Sequence, residues 1–169
     1  VGYPLVMKVV GPIHKSDVGG VTLNVRDIET VDREFDRLMA IPETYAVEMY
    51  PMLDGTEVYI GAIRDEKFGH QVFFGLGGIF IEVLKDVQAS LAPIGLTEAH
   101  SMIERLRGYK IIKGVRGQEP VNEDLFAEAI TRISALVKAA PEIAEMDLNP
   151  LPGSANAVVA VDARIRIEK

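Results

Sequence analysis

Near the C-terminal end, oxygen-bearing side chains have the types and spacing of a site for a hard cation. In Glu145-Met146-Asp147-Leu148-Asn149-Pro150, strand alternation places Glu145, Asp147 and Asn149 on one face and Met146 and Leu148 on the other. Asp162 lies thirteen residues after Asn149, inside the apolar stretch Val158-Val159-Ala160-Val161-Asp162-Ala163-Arg164. Carboxylate and amide oxygens meeting at two strand ends are ligands of the kind Mg²⁺ takes, with water and phosphate filling its other positions. The same residues also serve as Asx turns where strands surface, and spacing leaves both readings open. Lys8 sits inside the apolar run Pro4 to Val10. A lysine there either snorkels at a sheet edge or meets a phosphate as a point charge. His14 belongs to Ile13-His14-Lys15-Ser16-Asp17-Val18-Gly19-Gly20, where an imidazole can act as nucleophile or proton carrier, or simply be solvated. Glu48 and Glu57 flank a bend and could accept ribose hydroxyls, or be strand-end charges. Phe74-Gly75-Leu76-Gly77-Gly78-Ile79 is neither a dinucleotide fingerprint nor a P-loop. Its glycines permit either phosphate contact through backbone N–H groups or a tight bend between strands.

The elements that must position these residues follow from periodicity. Strands are expected at Pro4–Val10 and Val21–Val25, with a loop at Gly11–Gly20 between them. Ile28, Val31, Phe35, Leu38 and Met39 recur at helical spacing, and Pro42 ends that helix. Short strands follow at Tyr45–Tyr50, Glu57–Ile63, Gln71–Leu76 and Ile79–Leu84, with a hairpin turn at Asp65–Gly69. Thr97 is expected to cap a helix carrying Ala99, Met102, Ile103 and Leu106, with Gly108 as the C′ residue just beyond it. Asn122 should cap a longer one with the stripe Leu125, Ala129, Ile130, Ile133, Leu136 and Val137, ending before Pro141. Strands near Glu145–Asn149 and Ala157–Ala163 close the chain. The sum is α+β with a mixed, mainly antiparallel sheet.

The 169 residues, 48% hydrophobic and 25% charged, suit one globular domain or two small lobes. The net charge of −7 and the lack of a clustered basic stretch argue against a nucleic-acid partner. With no cysteine, disulfides, thiolate zinc sites and a cysteine nucleophile are excluded, and a reducing, cytoplasmic setting is expected. The most apolar run, Phe73 to Ile81, stops at Glu82. It is far short of the roughly 20 residues a membrane helix needs, so no membrane partner is expected.

In chain order, the pieces make a pattern. Lys8 on its strand is followed by His14-Lys15-Ser16-Asp17-Val18-Gly19-Gly20-Val21, Gly55-Thr56-Glu57-Val58, Arg64-Asp65 and Phe68-Gly69. Then come Phe74-Gly75-Leu76-Gly77-Gly78, Glu82-Val83-Leu84-Lys85-Asp86-Val87, Gly108-Tyr109, Arg116-Gly117, Asp147-Leu148-Asn149-Pro150-Leu151 and Val161-Asp162-Ala163-Arg164. This resembles the ATP-grasp domain of the NDP-forming acyl-CoA synthetases, the β subunit of ADP-forming acetate–CoA ligase, a relative of the succinyl-CoA synthetase β subunit. The resemblance covers nearly the whole chain, so residues 1–169 are expected to be one ATP-grasp domain, its first lobe incomplete at the N-terminus.

The resemblance implies ATP/ADP and Mg²⁺ as cofactors. It implies that Lys8 contacts nucleotide phosphates, that Glu48 lies beside the adenine, and that Glu57 contacts the ribose. Asn149 and Asp162 would hold Mg²⁺, and His14 would be a phosphohistidine passing a phosphoryl group to ADP. Such a relay needs an α-type, CoA-binding subunit or domain, hence a hetero-oligomer, and the chain alone should not turn over acyl-CoA. A second reading from another class is a non-catalytic, nucleotide-sensing module that regulates a fused or partner domain. Carboxylate–amine ligation, a third, has no need of the His14 loop.

Overall fold

The computed structural model describes residues 2–12, 15, 17–77, 85–115 and 119–168. They fall into two compact units, Val1–Leu53 and Asp54–Lys169.

The first unit is a three-stranded antiparallel sheet covered by one helix. Strand β1 (Leu5–Val10) lies between β2 (Val21–Val25) and β3 (Ala46–Pro51). Alternation along β1 turns Leu5, Met7 and Val9 to the interior. There they meet Val25 together with Val31 and Leu38 of helix α1 (Ile28–Met39). Asp27 caps α1 by accepting from the Thr30 N–H at 2.7 Å, satisfying one of the orphan donors at a helix start. Ile28 and Phe35 belong to the apolar spacing of α1, yet they stay largely exposed.

The second unit is a five-stranded antiparallel sheet in the order β6-β5-β4-β7-β8. Its strands are β4 (Thr56–Asp65), β5 (Gly69–Leu76), β6 (Val87–Leu91), β7 (Ile143–Gly153) and β8 (Ala163–Ile167). Three helices accompany it: α2 (Leu96–Glu104), the single turn α3 (Tyr109–Ile112) and α4 (Glu123–Ala139). One face of the sheet presents Val58, Ile60, Ala62, Val72, Phe74, Met146 and Leu148 to a core shared with α2 and α4. Phe74 and Phe126 meet there with ring centroids 5.9 Å apart, tilted by 54°, a favourable aromatic geometry. The buried hydroxyl of Ser134 accepts from the Ile94 N–H at 2.7 Å. The buried His70 imidazole is matched by the Ile143 carbonyl at 2.6 Å.

Every strand pairing among the described residues is antiparallel. The hairpin turn forms as expected, with Asp65 Oδ1 accepting from the N–H groups of Lys67 and Phe68. Asn122 caps α4, accepting from Leu125 N at 3.3 Å. Other local expectations shift. Gly95, not Thr97, is the N-cap of α2, and this helix stops at Glu104. Gly108 instead opens α3. The buried stripe of α4 is Phe126, Ala127, Ile130, Ser134 and Val137, rotated from the expected one, so that Leu136 is exposed. The last strand is Ala163–Ile167 rather than Ala157–Ala163. The expected strand at Ile79–Leu84 lies outside the described residues.

Candidate functional site

In the first unit, Lys8 and Glu48 stand directly opposite each other in the β1–β3 ladder. Met7 and Val9 point to the core, so Lys8 emerges on the other face of the sheet, half-buried. Its ammonium lies 5.8 Å from the centre of the Tyr50 ring, within range of a cation–π attraction. An ammonium on a half-buried β surface is a suitable partner for an anionic ligand, because partial desolvation strengthens its field. His14, with Ile13 and Ser16, lies outside the described residues. The loop that carries it is described at both ends, at Gly11–Pro12 and at Asp17–Gly20.

In the second unit the solvent-facing side of the sheet holds the remaining candidates. Glu57, Tyr59, Gly61 and Ile63 alternate along β4 against the buried Val58, Ile60 and Ala62. Glu145, Asp147 and Asn149 do the same along β7. Gly61 and Asp147 are cross-strand partners. A side chain at Gly61 would strike the Tyr59 hydroxyl, so the phenol ring lies over the bare glycine. Burial, followed by the charges of Asp147 and Glu145, pushes the Tyr59 phenol above its ordinary value. Tyr59, Glu145, Asp147, Arg164 and Arg166 line a cavity of about 360 Å³.

Asn149 and Asp162 come together by strand register. Leu148 pairs with Ala163 in the β7–β8 ladder, and the Val161 N–H donates to the Pro150 carbonyl at 3.2 Å. Those two contacts leave Asn149 and Asp162 facing each other across the ladder. Asn149–Pro150 is a cis peptide, and here β7 carries a register shift against Val58 and Ile60 of β4. Asp162 is half-buried, its Oδ1 accepting from Ala163 N at 3.0 Å.

Asp147, two residues along the same face, completes the group. Burial raises its carboxyl above the usual value; Arg164 opposes the rise, and the charges of Asp162 and Glu145 add to it. A cation beside Asp147 would offset the repulsion that its neighbouring carboxylates exert on it. The donor set is all hard oxygen, although among the described residues no group of three or more His, Asp or Glu side chains is placed to hold a metal ion. Oxygen donors of this kind suit Mg²⁺, which retains several waters and uses few protein ligands. Asp147 shares a face with Asn149 in the sequence, but only the sheet register places it beside Asp162.

Two other candidates meet where β4 begins and β5 ends. Glu57 is exposed, and its carbonyl accepts from Gly77 N at 2.7 Å. A Cβ at Gly77 would press on Glu57 at 3.0 Å, so this glycine serves chain-to-chain approach within the protein. Gly78 to Leu84 lie outside the described residues.

Comparisons with known proteins bear on the fold and the family. Residues 1–167 match the family model described as an ATP-grasp domain. The chain belongs to the ATP-grasp family. The β subunit of acetate–CoA ligase (ADP-forming) I of Pyrococcus furiosus is 43% identical over 175 residues, covering 98% of this chain and 75% of that subunit. Acetate–CoA ligase (ADP-forming) I of Archaeoglobus fulgidus is 41% identical, and there the chain spans 25% of the longer protein. Among solved structures, the acetyl-coenzyme A synthetase 1 of Ca. Korarchaeum cryptofilum, in complex with coenzyme A and Ca-AMPCP, superposes with a TM-score of 0.91. It is 38% identical, covering 99% of this chain and 78% of that one. A second structure of that enzyme holds coenzyme A and Mg-AMPPCP, with a phosphohistidine segment pointing towards the nucleotide-binding site, at a TM-score of 0.85 and 38% identity. It covers 99% of this chain and 78% of that one. No helix among the described residues is long and apolar enough to cross a membrane.

Proposed function

We propose that this ATP-grasp chain is the nucleotide-binding, phosphoryl-relay part of an ADP-forming acyl-CoA synthetase, acting in the cytoplasm with an α-type, CoA-binding subunit or domain. The overall reaction is acyl-CoA, ADP and phosphate to and from carboxylic acid, CoA and ATP. One observation carries the reading: Asn149 and Asp162 face each other across β7–β8 with Asp147 beside them, in a chain related over its length to a ligase β subunit.

Each residue has a task that its chemistry suits. Phosphoryl transfer asks a protein for positioning and charge neutralisation more than for covalent machinery. Asn149, Asp162 and Asp147 would hold Mg²⁺, which when bound adds positive charge at the phosphate oxygens. Lys8 would offset phosphate charge from its half-buried strand, Glu48 would face the base, and Glu57 would accept from the ribose hydroxyls. His14 would carry the phosphoryl group. In the direction of ATP synthesis the N–P bond of its phosphoimidazole breaks as a terminal ADP oxygen forms the new O–P bond. The nucleotide and metal of the Ca. Korarchaeum structure, and the naming of the Pyrococcus relative as a β subunit, support the reading. The acyl pocket would belong to the partner.

Calorimetric titration of ADP and ATP, with and without Mg²⁺, into the chain and its Asp162→Ala variant tests the metal assignment. Mg²⁺-dependent binding should weaken by roughly ten- to a hundredfold in the variant. Binding that ignores both Mg²⁺ and the substitution would sink it. His14→Ala should keep nucleotide affinity and lose acid-labile phosphoryl label from ATP. A variant that still takes the label would remove His14 from the relay and leave the nucleotide-sensing reading.

A further inference from the structure

Backbone hydrogen bonds and a helix side chain meet at the far end of the Gly11–Gly20 loop. The Gly20 N–H donates to the Lys15 carbonyl at 2.7 Å, and the Gly20 carbonyl accepts from Val9 N at 2.9 Å. A Cβ at Gly20 would strike Val9 and come within 2.8 Å of the Lys15 carbonyl oxygen. Gly19 adopts a φ of +66°, the left-handed conformation that costs glycine little.

Onto this turn reaches Arg37, from the last turn of α1. Its Nη1 donates to the Gly19 carbonyl at 3.0 Å, its Nη2 to Thr22 Oγ1 at 2.8 Å, and its Nε to Glu34 Oε2 at 2.7 Å. Thr22 Oγ1 in turn donates to Glu34 Oε2 at 3.1 Å. One guanidinium thus joins a loop carbonyl, the start of β2 and the helix. Only a rigid fork of donors can satisfy three acceptors in such different directions. Arg37 also spends little on packing, since its side chain is 46% exposed while that of Glu34 is 15% exposed. The core of this unit is built without it.

We propose that Arg37 is a positioning residue: it fixes the Gly19–Gly20 end of the loop to α1 and thereby sets where the loop bearing His14 enters β2. It acts through the loop and makes no contact with the transferred group. The part that concerns catalysis rests on the relay reading above.

Two readouts on the full chain test this. The first is hydrogen exchange of the Gly20 amide in the parent, Arg37→Ala and Arg37→Lys. Both variants should exchange that amide roughly tenfold faster, the scale of one hydrogen bond to a charged group. The β1 and β3 amides should stay protected, and the melting temperature should fall only slightly. The second is the rate of acid-labile labelling from γ-labelled ATP, with His14→Ala as control. It should fall in both Arg37 variants without a change in ATP affinity. An unchanged Gly20 exchange rate overturns the proposal. So does a loss of protection that spreads through β1 and β3 with a much lower melting temperature, because Arg37 would then be an ordinary structural contact. A labelling rate that holds while Gly20 opens overturns its bearing on catalysis. If the parent takes no label, the relay reading fails, and the Gly20 exchange ratio alone decides whether Arg37 sets the loop end.

Discussion

Each unit ties down a glycine-bearing segment with a charged side chain, and the two ties are built in opposite ways. In the first unit the anchor is a cation, Arg37, reaching over the surface to the Gly19 carbonyl. In the second it is an anion, Asp86, only 4% exposed. Asp86 accepts from the N–H groups of Arg107 at 3.0 Å and Gly108 at 2.7 Å, two donors ahead of α3. The surface tie can open into water, which replaces each lost partner. The interior tie cannot, because a carboxylate or an N–H left alone there keeps its full desolvation penalty. The first kind of tie can be released and remade in water, and the second fixes a corner of the fold.

The largest effect should therefore come from the interior anchor. Asp86→Ala orphans two backbone donors and should cost about 2–4 kcal/mol in denaturant unfolding. Asp86→Asn keeps one acceptor and should cost less. Equal losses would mean that charge, and not acceptor count, holds the corner. The glycines beside the two anchors sharpen the contrast. At Gly20 an added methyl meets Val9 and a backbone carbonyl of Lys15, and backbone does not yield cheaply. At Gly108 it meets the Leu76 Cδ1 methyl and, at 3.3 Å, Asp86 Oδ2, so the first obstacle is the far end of a flexible side chain. Gly20→Ala should cost about 1–3 kcal/mol, as overpacking does, and Gly108→Ala less. The reverse order would show that the loop base is the softer of the two.

The ease of reading these regions from sequence differs for physical reasons. β1, β2 and α1 are short-range objects whose apolar spacing announces them, and Asn122 and the Asp65 turn carry local capping chemistry. β6 and β8 are edge strands whose identity comes from their neighbours. All five residues of β8 are exposed, so alternation carries no signal, whereas the apolar run before it misleads. Asn149 and Asp162 were legible as a pair of oxygen ligands, but their opposition depends on how β7 pairs with β8, which no spacing reveals. Arg37 was illegible for the same reason. It reads as a solvated helix charge until the fold brings Gly19 and Thr22 to it.

The smallest expected effect concerns the acid limb of the surface tie. The hydrogen bond from Arg37 holds the Glu34 carboxyl below its ordinary value of 4.5, against the opposing effect of burial and with lesser help from Thr22. Arg33 also approaches it, at 3.4 Å. A carboxyl depressed in the folded state stabilises that state above its unfolded value and ceases to do so as pH falls through the folded one. The stability difference between the parent and Arg37→Ala should then be constant from neutral pH down to about 4.5 and shrink below it. It should not vanish, because the Gly19 carbonyl and Thr22 hydroxyl do not titrate and still hold the guanidinium. Unfolding titrations of both proteins across that range measure the difference directly. A difference that stays flat into strong acid would mean that Glu34 lends Arg37 no support, and that the loop end is set by the two neutral acceptors alone.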